Sequence, residues 1–91
     1  MLHALICRDK PDHLDVRMAN REAHLAHLKD DPHVVQAGPF VNAAGEMSGS
    51  LIVFATADRA HVEAFAAADP YARAGLFDEV RIEAWNRVID A

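Results

Sequence analysis

Leu51-Ile52-Val53-Phe54-Ala55 is the stretch on which the reading of the fold turns. It reads as the body of a strand from Ser50 to Ala55, and it is apolar at every position. A strand in a sheet with one wet face should alternate between apolar and polar residues. This one does not, so both of its faces should be covered.

The segment before it, Val34 to Val41, is the natural hairpin partner across the loop Asn42 to Gly49. Gly38-Pro39 inside that partner demotes its far end to a bulge or a sheet edge, because proline cannot donate to a ladder. After the strand, Asp58 is placed to cap a helix running to about Ala68, with Val62, Phe65 and Ala66 on its buried face. Continued at helical spacing, that face reaches Asp69. A carboxylate at the end of a core-facing stripe calls for a donor, and Pro70 pushes residue 69 away from helical angles. From Phe77 to Val88 the alternation of a strand returns, with Val80, Ile82, Ala84 and Val88 on one side and Arg81, Glu83, Trp85 and Arg87 on the other.

Upstream, Leu2 to Cys7 is a short apolar strand with His3 as its one polar member, followed by the turn Arg8 to Asp12. A 3.6-residue period then runs from Asp12 or His13 to Lys29, with Met18-Ala19-Asn20 as the place for a break and Asp31-Pro32 as the stop. Leu14, Met18 and Leu25 form its apolar seam, and Arg17, Arg21, His24 and Leu28 form the strip beside it. The order is βαββαβ: an α+β, ferredoxin-like arrangement of a four-stranded antiparallel sheet with two helices on one face. Helices can cover only that face, so the two-sided apolar strand predicts a two-fold homodimer through the other.

Composition sets the remaining bounds. The 91 residues are 52% hydrophobic and 25% charged, without a Gly/Pro-rich tract, which predicts one globular domain over residues 1–91. So short a chain buries only roughly 60–65% of its unfolded surface, which also favours self-association. A net charge of −5 with no basic cluster argues against nucleic acid as a partner. The longest apolar run, Leu51 to Ala55, falls far short of the about 20 residues that cross a bilayer, and no leader pattern opens the chain. A soluble, cytoplasmic protein is expected. Cys7 is the single cysteine and reads as a small buried hydrophobe, not as a thiolate centre.

The chemistry gathers around Arg21-Glu-Ala-His24-Leu25 and Asp69-Pro70-Tyr71. His24 sits at the edge of the first helix's core face, where a histidine can be half desolvated and still reach a pocket. Imidazole starts near pKa ~6.5, which suits general acid/base work. With Asp69 accepting from one ring nitrogen, the other is fixed as the base, so the two side chains should meet at a pocket near Ser50. Ser50 would donate a hydrogen bond to a bound anion or carbonyl, and no GxSxG elbow supports a nucleophilic role for it. Arg21, one turn from His24, could hold a carboxylate or enolate, while Tyr71 and Trp85 could line a wall. The blander readings are a solvated or merely satisfied His24, Ser50 as a turn residue, Arg21 in solvent and both aromatics in the core. His24 and His27 are three apart, a spacing that can hold a metal, but His27 points away from the seam and no second ligand cluster stands out. No metal or cofactor is expected.

The opening strand, Arg21-x-x-His24-Leu25, Ala37-Gly38-Pro39, Gly49-Ser50, Asp69-Pro70-Tyr71 and Ala74-Gly75-Leu76, in that order and spacing, resemble the YciI-like (YCII-related) family of the dimeric α+β barrel superfamily, relatives of muconolactone isomerase. The resemblance spans nearly the whole chain, which is compact between Phe40 and Gly49 where relatives can carry longer loops. It implies a ferredoxin-like subunit, a homodimer, and a pocket in which His24 and Asp69 are the catalytic pair. It also implies lyase or isomerase chemistry on a small ring compound, such as dehydrochlorination of a chlorinated hydroxyquinol. The competing class is a small-ligand-binding or accessory module without turnover. The two differ in whether His24→Ala removes turnover or only changes affinity.

Overall fold

The computed structural model describes residues 1–91. In chain order the elements are β1 (Leu2–Asp9), α1 (Leu14–Asp30), β2 (Val34–Val41), β3 (Met47–Phe54), α2 (Arg59–Ala68), a single-turn α3 (Pro70–Arg73) and β4 (Phe77–Trp85). The strands form one sheet of order β2-β3-β1-β4, with every neighbouring pair antiparallel. This is the ferredoxin-like α+β fold.

Register decides which side chains meet the helices. Leu5 lies opposite Ile52 and Ile82, and Cys7 lies opposite Ser50 and Val80. Leu5, Cys7, Ile52 and Phe54 meet Val62 and Phe65 of α2 in the core, with Leu28, Val34, Phe77 and Ile82 packed around them. Phe54 and Phe65 sit edge to face with centroids 5.0 Å apart, an arrangement aromatic quadrupoles favour. Gly49 is required where β3 passes β1, since a Cβ there would run into the Cys7 carbonyl.

Several elements differ from expectation. β1 extends two residues further, through Asp9, and β3 begins at Met47, because the hairpin closes tightly: Asn42 Oδ1 accepts from the amides of Ala44 and Glu46, and Gly45 takes φ 81°. β2 is an edge strand, as its proline requires. Its register shifts, however, flank Gly38-Pro39, falling between Val34 and Gln36 and between Phe40 and Val41. β4 stops at Trp85, short of Val88. Arg87 then donates to Gln36 Oε1 at 3.2 Å on the opposite edge strand, so the chain after β4 turns back over the sheet.

α1 is unbroken through Met18-Ala19-Asn20, with Asn20 Nδ2 donating back one turn to the Val16 carbonyl. More consequential is the face it buries. Met18, assigned to the apolar seam, is 54% exposed, whereas Arg17 and His24 of the adjoining polar strip are the buried residues. The helix turns that strip inward because carboxylates await both side chains. On the sheet face away from the helices, Val53 is buried while Leu51 stays 37% exposed. Both line a shallow depression of about 310 Å³ with Ala4, Ile6 and Trp85.

Candidate functional site

Asp69 is the joint between α2 and α3. At φ −60°, ψ 127° it ends one helix and caps the next, its Oδ1 accepting from the Tyr71 amide at 2.9 Å. Proline at the first position of α3 supplies a preset φ and needs no partner for a missing N–H. So held, the carboxylate faces α1 and takes His24 Nδ1 at 2.9 Å to Oδ1 and 3.1 Å to Oδ2. A carboxylate only accepts, so Nδ1 carries the hydrogen, and in the neutral ring Nε2 keeps its lone pair. Nε2 has no partner in the chain, yet no buried side-chain nitrogen or oxygen is left unsatisfied. It must therefore open onto solvent-accessible space.

That space is a cavity of about 200 Å³ between α1 and the β2–β3 end of the sheet, where His24, Arg17, Arg21, Ser50 and Tyr71 supply the polar lining. Ala37, Pro39, Met47 and Ile52 contribute apolar wall. Tyr71 stacks on His24 with ring centroids 3.9 Å apart and planes 18° from parallel. The Arg17 guanidinium lies 4.5 Å from the Tyr71 ring centre. Arg17 and His24 stand about two turns apart on α1, and the tyrosine ring fills the gap between them.

Arg17 is itself anchored. Its Nε donates to Asp9 Oδ2 at 2.7 Å and its Nη2 to Asp9 Oδ1 at 2.9 Å, a two-point pair almost closed to solvent. Nη2 also donates to Ser50 Oγ at 3.0 Å. Burial works against the Arg17 charge, but the Asp9 carboxylate outweighs it and the guanidinium pKa is raised. Burial likewise raises the Tyr71 phenol, against opposition from Arg17 and Arg21, so the hydroxyl stays protonated at neutral pH. Desolvation, with Asp69 and Asp9 nearby, pushes the Cys7 thiol up to about 12 despite Arg17. Cys7 is no nucleophile here.

Of the residues singled out in the sequence, His24, Ser50, Arg21 and Tyr71 share the cavity, and Asp69 sits directly behind His24. Ser50 is buried and bonded to Arg17, not to its own backbone. Tyr71 is more than wall, being the layer under the histidine ring. Trp85 is elsewhere, on the sheet face away from the helices. His27 does not point away from the core: it stacks on Phe65 at 4.1 Å and its Nε2 bonds the Phe65 carbonyl at 3.0 Å, so it and His24 serve different partners. Two site residues were missed, Asp9 and Arg17. Extending the β1 alternation His3, Leu5, Cys7 by one more step puts Asp9 on the helix-facing side, and Arg17 lies two turns before His24 on the same strip.

A larger hollow of about 540 Å³ lies by the β1–α1 turn, lined by Asp9, Asp12, Asp15 and Glu46. His13 borders it, but its Nδ1 is bound to the Pro11 carbonyl at 2.8 Å. That contact is exposed and no carboxylate backs the ring, so this hollow is the weaker candidate.

Fold and site together define a class: a small ferredoxin-like α+β protein with a carboxylate-held histidine at a cavity between helix and sheet. Within that class, the chain belongs to the YCII-related domain family, whose model matches residues 1–86. It is 33% identical over 98 aligned positions to Protein YciI of Escherichia coli (strain CFT073), covering 97% of this chain and 99% of that one. A Haemophilus influenzae protein matches at 29% identity, with 97% and 99% covered. Among solved structures, the 5-chloro-2-hydroxyhydroquinone dehydrochlorinase TftG of Burkholderia phenoliruptrix, in complex with 2,5-dihydroxybenzoquinone, superposes with a TM-score of 0.87 at 32% identity, with 94% of each chain covered. An antibiotic biosynthesis monooxygenase superposes at 0.63 with 14% identity over 98% of this chain and 100% of its own, a likeness of fold alone. No helix is long and apolar enough to cross a membrane.

Proposed function

We propose that this chain is a small-molecule enzyme of lyase or isomerase type, working by proton abstraction next to a carbonyl or phenol oxygen. The observation that carries the reading is the free Nε2 of His24, open to the cavity while Nδ1 is held by a buried carboxylate. His24 takes a proton from the substrate through Nε2, and Asp69 orients the ring and stabilises the imidazolium. Negative charge then develops on the substrate oxygen, where Ser50 and Arg21 stabilise it and Tyr71 supplies the packed face. Returning the proton to another carbon completes an isomerisation. Departure of a leaving group with the electron pair completes an elimination.

A cavity of about 200 Å³ lies below the ~300–1,000 Å³ of drug-sized sites, which suits one ring. The likeness to TftG supports a hydroxylated ring as substrate class. The depression on the far face of the sheet, with Leu51 and Trp85 exposed beside it, supports pairing of two copies there, and sedimentation giving a stable monomer at micromolar concentration would exclude it.

The test is chloride release from 5-chloro-2-hydroxyhydroquinone by wild type and His24→Ala. The variant should lose ~10²-fold or more in kcat with a smaller change in KM. If wild type binds such rings without turnover and His24→Ala alters only affinity, the chain is a binding module.

A further inference from the structure

Arg17 has five N–H groups, and Asp9 and Ser50 take three of them, two from Nη2 and one from Nε. Nη1 has no aligned hydrogen-bond partner in the chain, although the Tyr71 hydroxyl interacts with the guanidinium and adds to the rise in its pKa. Arg17 is only 2% exposed, yet no buried side-chain nitrogen is unsatisfied, so Nη1 must meet accessible space. The hollow that Arg17 lines is the His24 cavity. Ser50, also 2% exposed, poses the same question from the other side. Its Oγ accepts from Arg17, and because a guanidinium never accepts, the hydroxyl hydrogen must point elsewhere. No group in the chain accepts it, and Ser50 faces the same cavity.

We infer that Arg17 Nη1 and the Ser50 hydroxyl together form a two-donor oxyanion site, so that the ligand of this cavity binds as an anion through a phenolate or enolate oxygen. This rests on the acid/base reading for its place in a reaction, but as a binding site it stands by itself. Asp9 holds the guanidinium rigidly and from behind, which leaves the outward donors preorganised. No carboxylate lines the cavity, and Arg21 at its exposed edge has no ion-pair partner. The groups that face the recess are therefore donors, with the Asp9 and Asp69 carboxylates set behind them. Arg17 would therefore touch the substrate oxygen directly, and it also fixes Ser50 as a donor by occupying a lone pair.

The test uses 4-nitrophenol, whose anion absorbs in the visible and whose single ring suits the cavity. A hydrogen bond from protein to a charged acceptor is worth about 10- to 100-fold, so the protein should bind the phenolate on the order of 100-fold tighter than the neutral phenol. By linkage the bound phenol then ionises at a pH about two units lower than the free one. Ser50→Ala should give back about tenfold of that preference, and Arg17→Lys about as much. Should Arg17→Lys fail to fold, Ser50→Ala decides alone. Neutral phenol bound as tightly as phenolate, no binding of the phenolate at millimolar concentration, or an undiminished preference in Ser50→Ala would each overturn the assignment. Failure of the turnover assay above leaves this result untouched.

Discussion

Replacing Arg17 with methionine removes a cation that is almost wholly buried, and the size of the effect follows from what stays behind. Asp9 would keep its place at the end of β1 with both oxygens stripped of donors 2.7 and 2.9 Å away, and Ser50 Oγ would lose its donor at 3.0 Å. Breaking one side of a buried pair costs ~3–5 kcal/mol, chiefly through the uncompensated charge left in place. Against a total stability of ~5–15 kcal/mol, that is a large fraction. At about 4–8 °C per kcal/mol for a domain of this size, melting should fall on the order of 20 °C. Thermal and urea unfolding followed by far-UV circular dichroism measure it. The double variant Arg17→Met/Asp9→Leu should recover most of the loss, because a buried ion pair replaced by apolar residues of similar bulk is often near neutral. A single variant losing less than ~1 kcal/mol, or a double variant no more stable than the single, would refute the claim that this pair is an enclosed, mutually dependent unit.

Three other outcomes can be checked directly. In Asp69→Asn the new amide can still accept from the Tyr71 amide, but its N–H₂ now faces His24 Nδ1, so the ring should move its hydrogen to Nε2; ¹⁵N NMR of the imidazole reads the tautomer, and turnover should fall by up to ~10⁴-fold by analogy with triads. Gly49→Ala should destabilise by ~1–3 kcal/mol, since its Cβ meets the rigid Cys7 carbonyl and not a movable side chain. Cys7 should resist iodoacetamide in the native state at pH near 8 and react only on unfolding. Its thiol is raised from 9.0 to about 12 in the fold, so the stability it contributes is complete below pH 9 and is lost as pH climbs toward 12, at up to ~1.4 kcal/mol per unit. Alkaline titration of Cys7→Ala should show a shallower decline over that window.

Much of this architecture is legible in the sequence because period and punctuation agree. The alternation around Leu5 and Ile82, the Asp58 cap, whose side chain accepts from the Ala60 amide at 3.0 Å, and the stop at Asp31-Pro32 each specify an element locally. His24 and Asp69 could be paired because both sit where a polar group needs a partner. Arg17 escaped by the same logic carried too far. An amphipathic reading of α1 assumes that apolar residues go inward, and it cannot foresee that Asp9 would neutralise an arginine and draw it into the core while Met18 faces solvent. The single turn of α3 is below the length at which periodicity says anything. The early start of β3 depended on Asn42 organising the hairpin through its own side chain, a contact set by geometry more than by composition.

The joint at Asp69 restricts how this molecule can change over time. One carboxylate stops α2, starts α3 and grips the histidine, so an insertion or deletion on either side would rotate all three duties out of alignment together. The Asn42–Glu46 hairpin carries no such burden: its turn is closed by its own side chain and amides, and the nearby Met47 and Pro39 form cavity wall. Lengthening the chain there would remodel the entrance and leave the proton-handling end intact. Descendants of such a scaffold would be expected to diversify in what they admit sooner than in what they do to it.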